Sequence, residues 1–411
     1  MNTIFRAHHF KGASPTRLVP HFTRFTVIRT PSTWYSTGGP HTVAPIPSKT
    51  ATQTVAPIEL LGLPFPEFEK VFENEFPELP KYRTRQLWFD LYAHVNPCAI
   101  HTRQVSALDK SIKLLLALKH RDIKGNLLLG PEESQRPEAE QAKVEAVIIP
   151  ERTWRTLCVS SQIGCSLACS FCHTGTQKLL RNLTSGEIVG QVMVALQNVG
   201  DFSRAIPERT LKNIVFMGQG EPLYNYRNVR RAIRTLTHPE GLAYPSHRIT
   251  VSTSGIAPLI PKLATELQVT LAISLHAPTD QLRNQLMPIN KTYPIRPLLE
   301  ACEEFSKHAG SKNRRITFEY VMLKGVNDSI DQATQLTRLL THLDAHVNLI
   351  PFNPWPGSTF ECSSTHHIQA FAEKLKNSGI HATVRWSKGS DILAACGQLR
   401  SNELLKSRST A

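Results

Sequence analysis

The sequence predicts an α/β chain: a parallel sheet curled into an incomplete (β/α)6 barrel, with a small helical accessory domain before it. Three observations carry this expectation. From Leu157 onward, short apolar runs suited to strands alternate with stretches of helical period, and repeated strand-then-helix units build parallel sheets. There are six or so such units, short of the eight that close a full barrel. The unusual polar and glycine-bearing segments fall just after the apolar runs, at the strand ends where sites gather in such folds.

The elements follow in chain order. Residues 1–58 hold six basic residues (Arg6, Lys11, Arg17, Arg24, Arg29, Lys49) and no acidic one, Glu59 being the first. An acid-free leader rich in Arg, Ser and Thr has the pattern of an organelle transit peptide, and a disordered tail that stays attached is the bland alternative. Residues 59–127 read as a helical module. Leu60–Phe76, Tyr82–His94 and Thr102–Leu118 carry apolar residues at three-to-four spacing, broken by Pro80 and Pro97. Residues 128–150 form a linker, with a polar loop over Gly130–Lys143 and then an apolar strand, Val144–Ile149. The barrel domain spans 151–401. Its strands are expected at Asn213–Met217, Arg248–Ser252, Thr270–Ser274, Arg315–Val321, Val347–Ile350 and His381–Arg385. Helices are expected at 184–199, 225–237, 279–286, 295–308, 329–342 and 364–378. Thr184-x-x-Glu187 and Ser329-x-x-Gln332 have the capping-box form and fix two of these starts. Residues 402–411 are a tail.

Composition narrows the function classes. A chain of 411 residues holds one large domain or two ordinary ones. Its eight cysteines are too sparse for a disulfide scaffold. No apolar run approaches ~20 residues, the length a membrane helix needs. Without the leader, 41 basic residues face 33 acidic ones, and the charge falls from +14 to +8. That excess suits a polyanionic partner such as nucleic acid, without proving one.

Three cysteines decide the chemistry: Cys165-x-x-x-Cys169-x-x-Cys172. A 4Fe–4S cube normally takes four thiolates, so three leave one iron open to a substrate or cofactor. A zinc site would want a fourth ligand and paired spacing, and His173 adjoins Cys172 too closely to supply it without strain. Four further segments follow predicted strands: Gly218-Gln-Gly-Glu-Pro222, Ser252-Thr-Ser-Gly255, Ser274-Leu-His276 and Pro351-Phe-Asn-Pro-Trp-Pro356. Each alone is a weak signal; together they face the mouth that holds the cysteine loop.

At this point the chain resembles the RlmN/Cfr family of radical S-adenosylmethionine (SAM) RNA adenine methyltransferases, from about residue 57 to 401. The resemblance rests on Val144-Glu-Ala-Val-Ile-Ile-Pro150, Leu157-Cys-Val-Ser-Ser-Gln-Ile-Gly-Cys165, the cysteine triplet, Gly220-Glu-Pro222, Ser252-Thr-Ser-Gly255, Ala272-Ile-Ser-Leu-His-Ala277, Asn348-Leu-Ile-Pro351 and Ala394-Ala-Cys-Gly-Gln-Leu399. It implies a radical-SAM barrel in which Cys165, Cys169 and Cys172 hold one 4Fe–4S cluster whose open iron chelates SAM. Gly220, Glu221, Ser252, Ser274, Leu275, His276 and Asn353 match the positions that line the SAM pocket. Phe171 either packs against the cofactor or shields the cluster. Cys396 matches the cysteine that first takes a methyl from one SAM and then, after radical cleavage of a second, carries it to the base. Cys158 matches the thiol that releases the product by forming a disulfide, and Glu145 the base that removes the ring proton. Without the resemblance, Cys396 and Cys158 read as small buried side chains and Glu145 as a strand-edge charge. Cys98, Cys302 and Cys362 match no motif.

The implied substrate is an adenosine of large-subunit ribosomal RNA methylated at C2, with the adenosine next to the tRNA anticodon as a second. The module at 59–127 would grip RNA by shape and backbone, helped by Lys81, Arg83, Arg85 and Lys119. An electron-donor reductase or ferredoxin is implied as partner, with no membrane and a monomeric chain. Alternatives are C8 methylation, as in Cfr, and a non-catalytic Fe–S assembly factor, which would have no use for Cys396, Cys158 and Glu145. The leader favours the mitochondrion, with plastid, or cytoplasm without transit, as alternatives. Three segments depart from the commoner family pattern: Gln219 between the two glycines, His173-Thr-Gly-Thr-Gln177, and Phe352-Asn-Pro-Trp355. They touch no proposed catalytic position and bear on substrate choice.

Overall fold

The computed structural model describes residues 60, 62–75, 77, 84, 85, 87, 88, 97–122, 124, 141–202 and 206–400. The leader at 1–58, most of the Tyr82–His94 helix with Lys81 and Arg83, the loop at 130–140, the tail at 402–411 and the side chain of Lys119 lie outside the described residues.

Ten strands form one sheet. In chain order these are β1 (Cys98–Val105), β2 (Ile112–Asp122), β3 (Gln141–Pro150) and β4 (Arg155–Cys158), then, beyond a small ribbon, β7 (Leu211–Phe216), β8 (Ile249–Thr253), β9 (Thr270–Ser274), β10 (Ile316–Met322), β11 (Ala345–Pro351) and β12 (His381–Val384). The ribbon pairs β5 (Gln162–Ile163) with β6 (Arg181–Asn182) and closes the base of the cysteine loop. The sheet order is β1-β2-β3-β4-β7-β8-β9-β10-β11-β12. The first three junctions are antiparallel and every later one is parallel.

The expected strands from 213 onward are all present within a few residues of their predicted limits. Arg155–Cys158 adds a seventh parallel strand ahead of them, too short to stand out in the sequence. The six expected helices form over Ser185–Asn198, Tyr226–Thr237, Asp280–Leu286, Ile295–His308, Ile330–Leu340 and Thr365–Asn377. Both capping boxes close: Thr184 and Glu187 satisfy each other's backbone N–H, as do Ser329 and Gln332. Each such cap is worth about 1 kcal/mol.

The helix expected over Thr102–Leu118 is not one. Residues 98–122 form a β-hairpin that pairs antiparallel with β3 and lengthens the sheet. Its turn is written in short polar side chains. Ser106 Oγ accepts from the N–H groups of Leu108 and Asp109, and Asp109 Oδ1 accepts from Ser111 N–H. Lys110 takes φ 65°, a conformation no helix continues through. Within β2, Leu114, Leu116 and Leu118 alternate onto one buried face, a period of two rather than 3.6. Ahead of the hairpin, Phe65–Glu75 is helical as expected. Among the described residues the main apolar cluster runs from Phe68 and Leu114 through Phe216, Leu271 and Phe318 to Phe371, and a small second one joins Val147, Cys158, Ala394 and Leu399.

Candidate active site

One cavity opens at the C-terminal ends of the parallel strands, and the cysteine loop covers it. Cys165, Cys169 and Cys172 all line it. The loop that carries them is tightly tied: Cys172 N–H bonds the Cys169 carbonyl (3.1 Å), Gly175 N–H the Cys172 carbonyl (3.0 Å). A Cβ at Gly175 would come 2.7 Å from the Cys169 oxygen, so the turn closes only around glycine. His173 is turned away from the thiols. Its ring stacks on Trp355 at 4.7 Å, and Nδ1 lies 3.2 Å from the Gln398 carbonyl.

The strand ends supply the rest of the wall. Gly220, Glu221, Ser252, Ser274 and His276 line the cavity. Gly220 holds φ 92° with its back against Gln162, where a Cβ would strike at 2.4 Å. The Glu221 carboxylate accepts from the N–H of Leu223 (3.0 Å) and of Ser254 (2.8 Å), tying the β7 and β8 loops together. His276 sits at φ 59° and accepts from Val321 N–H through Nδ1, which leaves Nε2 as the donor. Burial pushes its imidazole down to about 3, so the ring is neutral. Phe171 meets that ring edge-on at 4.7 Å and lines the cavity beside it. Two implied residues stand elsewhere. Leu275 is fully buried behind the wall, and Asn353 reaches the cavity only through its side-chain N–H to the Cys396 carbonyl (3.2 Å).

Cys396 also lines the cavity, on a loop beyond β12. That loop rests on the cysteine loop through Gly397 O to His173 N–H (2.7 Å) and Leu399 O to Thr174 Oγ1 (2.6 Å). Cys158 ends β4, buried with Val147, Ala394 and Leu399. Burial first, with Cys396 second, pushes the Cys158 thiol up to about 12. Glu145 lies two residues before Val147 on β3 and does not line the cavity. Lys113 Nζ holds its carboxylate at 2.8 Å and also bonds the Leu393 carbonyl (3.2 Å), three residues before Cys396. Burial holds the Glu145 carboxyl above the usual carboxylate range despite Lys113, and Oε2 has no hydrogen-bond partner.

Sequence reasoning missed four charged side chains. Arg283 is fully buried and donates to the carbonyls of Leu275 (3.1 Å), Ser254 (2.7 Å) and Ser274 (3.0 Å), fixing the ends of β8 and β9. Arg385 lines the cavity within electrostatic reach of Cys396, Glu319 and Cys158. Glu319, on the cavity wall, accepts from Asn348 Nδ2 at 2.8 Å. Lys113 was visible only as a lone cation ahead of five apolar residues.

The donor set suits an iron–sulfur cube. Burial and the thiols' own mutual repulsion hold Cys165 at about 11 and Cys169 well above the thiol range, a repulsion that bound iron would reverse. No three His, Cys, Asp or Glu side chains among the described residues close around a single ion; a cube takes each thiolate at a separate iron.

Comparison with known proteins decides the family. Residues 159–337 match the radical SAM superfamily. A dual-specificity RNA methyltransferase RlmN of Rhodopseudomonas palustris (strain BisA53) is 47% identical over 343 residues, 78% of this chain and 83% of the relative. The chain belongs to the RlmN family of radical SAM methyltransferases. The RlmN of Parvibaculum lavamentivorans is 54% identical over 271 residues, 65% of this chain and 67% of its own. A crystal structure of a radical SAM methyltransferase from Sphaerobacter thermophilus superposes with a TM-score of 0.71 at 39% identity, covering 84% of this chain and 99% of that one. The chain is therefore a SAM-dependent methyltransferase that uses a 4Fe–4S cluster.

Proposed function

We propose that this enzyme methylates C2 of an adenosine in large-subunit rRNA, and the adenosine beside the tRNA anticodon, through a methyl group carried on Cys396. The observation that carries the reading is the placement of Cys396 in one cavity with the three cluster thiols, with Cys158 and Glu145 gathered behind its loop. Adenine C2 is electron-poor and has no lone pair to offer, so direct displacement on SAM does not serve it. A thiolate does make that displacement, which gives Cys396 its first task. Cys165, Cys169 and Cys172 would hold the cluster, which when bound would supply the electron for cleavage of a second SAM and so the means to remove one hydrogen from the S-methyl group on Cys396. The carbon left on Cys396 would then add to C2, and the adduct's unpaired electron would return to the oxidised cluster as the ring proton leaves. Glu145, with its unbonded Oε2, removes the ring proton. The Cys158 thiolate attacks the Cys396 sulfur, the carbon–sulfur bond breaks with its electron pair on the methylene carbon, that carbon takes a proton to complete the methyl group, and the product leaves as a disulfide forms. Three residues of the cavity wall would hold SAM: Glu221 and Ser252 toward its amino group and ribose, His276 through Nε2–H. The relatives' names support RNA as the substrate, and the basic charge of the chain agrees. An acid-free leader supports a mitochondrial address in the same reading.

Labelled SAM tests it. With a fully deuterated methyl group, the reconstituted enzyme should return 2-methyladenosine with two deuteriums and put the third into the cleaved SAM fragment. A methyl arriving with all three would exclude passage through Cys396 by this route.

A further inference from the structure

A methyl carried on Cys396 has to lie in contact with the atom that takes its hydrogen, at about 3–3.5 Å, or the hydrogen is drawn from somewhere else. Yet Cys396 belongs to no strand or helix. Beyond β12 the chain forms only one turn of 3-10 helix, at Ser390–Ile392, before it reaches the cavity.

What holds this carrier loop is a clasp of three segments. The loop after β11 grips it twice: Asn353 Nδ2–H donates to Cys396 O (3.2 Å), and Pro354 O accepts from Gln398 Nε2–H (2.7 Å). One residue on, Trp355 grips the cysteine loop. Its Nε1–H donates to Phe171 O (3.0 Å), and its ring stacks on His173 with centroids 4.7 Å apart and planes 7° from parallel. His173 then joins the cysteine loop to the carrier loop. Its backbone N–H donates to Gly397 O (2.7 Å), and Nδ1 lies 3.2 Å from Gln398 O. Facing a carbonyl, Nδ1 carries the proton, which leaves Nε2 to accept from Arg400 Nη1 (3.1 Å). Gln398 also ties its own turn, since Oε1 accepts from Ala395 N–H (3.2 Å), so its amide fixes the chain on both sides of Cys396. His173 and Gln398 are buried, where a hydrogen bond is electrostatically stronger than in water.

The reaction proposed above gives His173 and Trp355 nothing to do. We propose that these two are positioning residues: they hold the methyl carbon on Cys396 where its hydrogen is taken, and so keep SAM cleavage coupled to methylation. The inference rests on that reaction. In coupled turnover one hydrogen atom leaves the S-methyl carbon and forms a C–H bond on the cleaved SAM fragment; no proton or electron pair departs. With Cys396 displaced, the same hydrogen atom comes from another C–H bond of protein or buffer, and SAM is spent without product. Each of the three segments binds both of the others. Loss of one connection therefore leaves two, which shifts Cys396 without unfolding the cysteine loop.

The test counts SAM cleaved against 2-methyladenosine formed by the reconstituted enzyme. Trp355→Ala and, separately, His173→Ala should each raise that ratio about tenfold. Trp355→Phe keeps the stack and loses the N–H, so it should fall between Trp355→Ala and wild type. With a deuterated methyl group on SAM, deuterium recovered in the cleaved fragment should fall in the same order. Iron content should match the wild type. Amide exchange read by mass spectrometry over 172–177 and 394–399, with and without iron, should quicken in both alanine variants. An unchanged ratio in either alanine variant, a loss of iron, or exchange at 394–399 as slow as in the wild type would each overturn the positioning role. A wild type that puts no deuterium into the fragment would instead overturn the underlying reaction.

Discussion

At the residue scale, the chemistry turns on a few side chains whose environments the fold sets. Glu145 is the sharpest case. Burial raises its carboxyl and Lys113 pulls the other way. A base works deprotonated, so activity should rise with pH through that elevated value. Removing the cation raises the carboxyl further. Lys113→Met should therefore move the acid limb of the kcat profile to higher pH, while Glu145→Gln should remove most activity and leave methylation of Cys396 intact, as peptide mass spectrometry would show. Cys158→Ala should halt the cycle one step later. Protein joined covalently to RNA through Cys396 should accumulate, visible as a slow band on a denaturing gel that ribonuclease collapses. The thiols and strand-end residues were legible because their residue types and spacing are rare together. Arg283, Arg385 and Lys113 were not, because a single cation in a sequence reads as solvated until the fold shows what encloses it.

At the scale of elements, most of the barrel could be read from the pattern of apolar runs, and the capping boxes located two helix starts to the residue. Thr184→Ala should cost about 1 kcal/mol in chemical denaturation, without moving activity at low denaturant. Arg283→Met should do more. It leaves buried carbonyls of Leu275, Ser254 and Ser274 without their donor, at roughly 1–3 kcal/mol for each unsatisfied group. Because those carbonyls end β8 and β9, the same change should weaken SAM binding, measurable by equilibrium dialysis. The hairpin at 98–122 was misread for a physical reason. Val105, Leu108, Ile112 and Leu115 imitate helical spacing, and Ile112–Leu118 is nearly continuous apolar sequence, which period alone cannot assign. What tips it to a strand is the open edge of β3, and that edge exists only after the sheet has formed.

At the scale of the whole molecule, the loop bearing Cys396 is where separate parts meet. The hairpin tip holds it through Asp109 Oδ2 to Gly389 N–H (2.6 Å) and through Asp391 Oδ2 to Ala107 N–H (2.9 Å). The cysteine loop holds its other end at Gly397 and Leu399. The antiparallel extension of the sheet therefore positions the methyl carrier against the cluster loop as well as lengthening the core. Asp109→Ala should loosen one anchor, lowering kcat several-fold with iron content unchanged. None of this long-range tying was visible in the sequence, since its partners lie some 280 residues apart.

The most direct measurement is mass spectrometry of RNA from cells with and without this gene, the latter complemented by wild type or by Cys396→Ala. The proposed reaction requires that 2-methyladenosine disappear without the gene, return with the wild type and stay absent with Cys396→Ala. Unchanged 2-methyladenosine, or loss of 8-methyladenosine in its place, would contradict it.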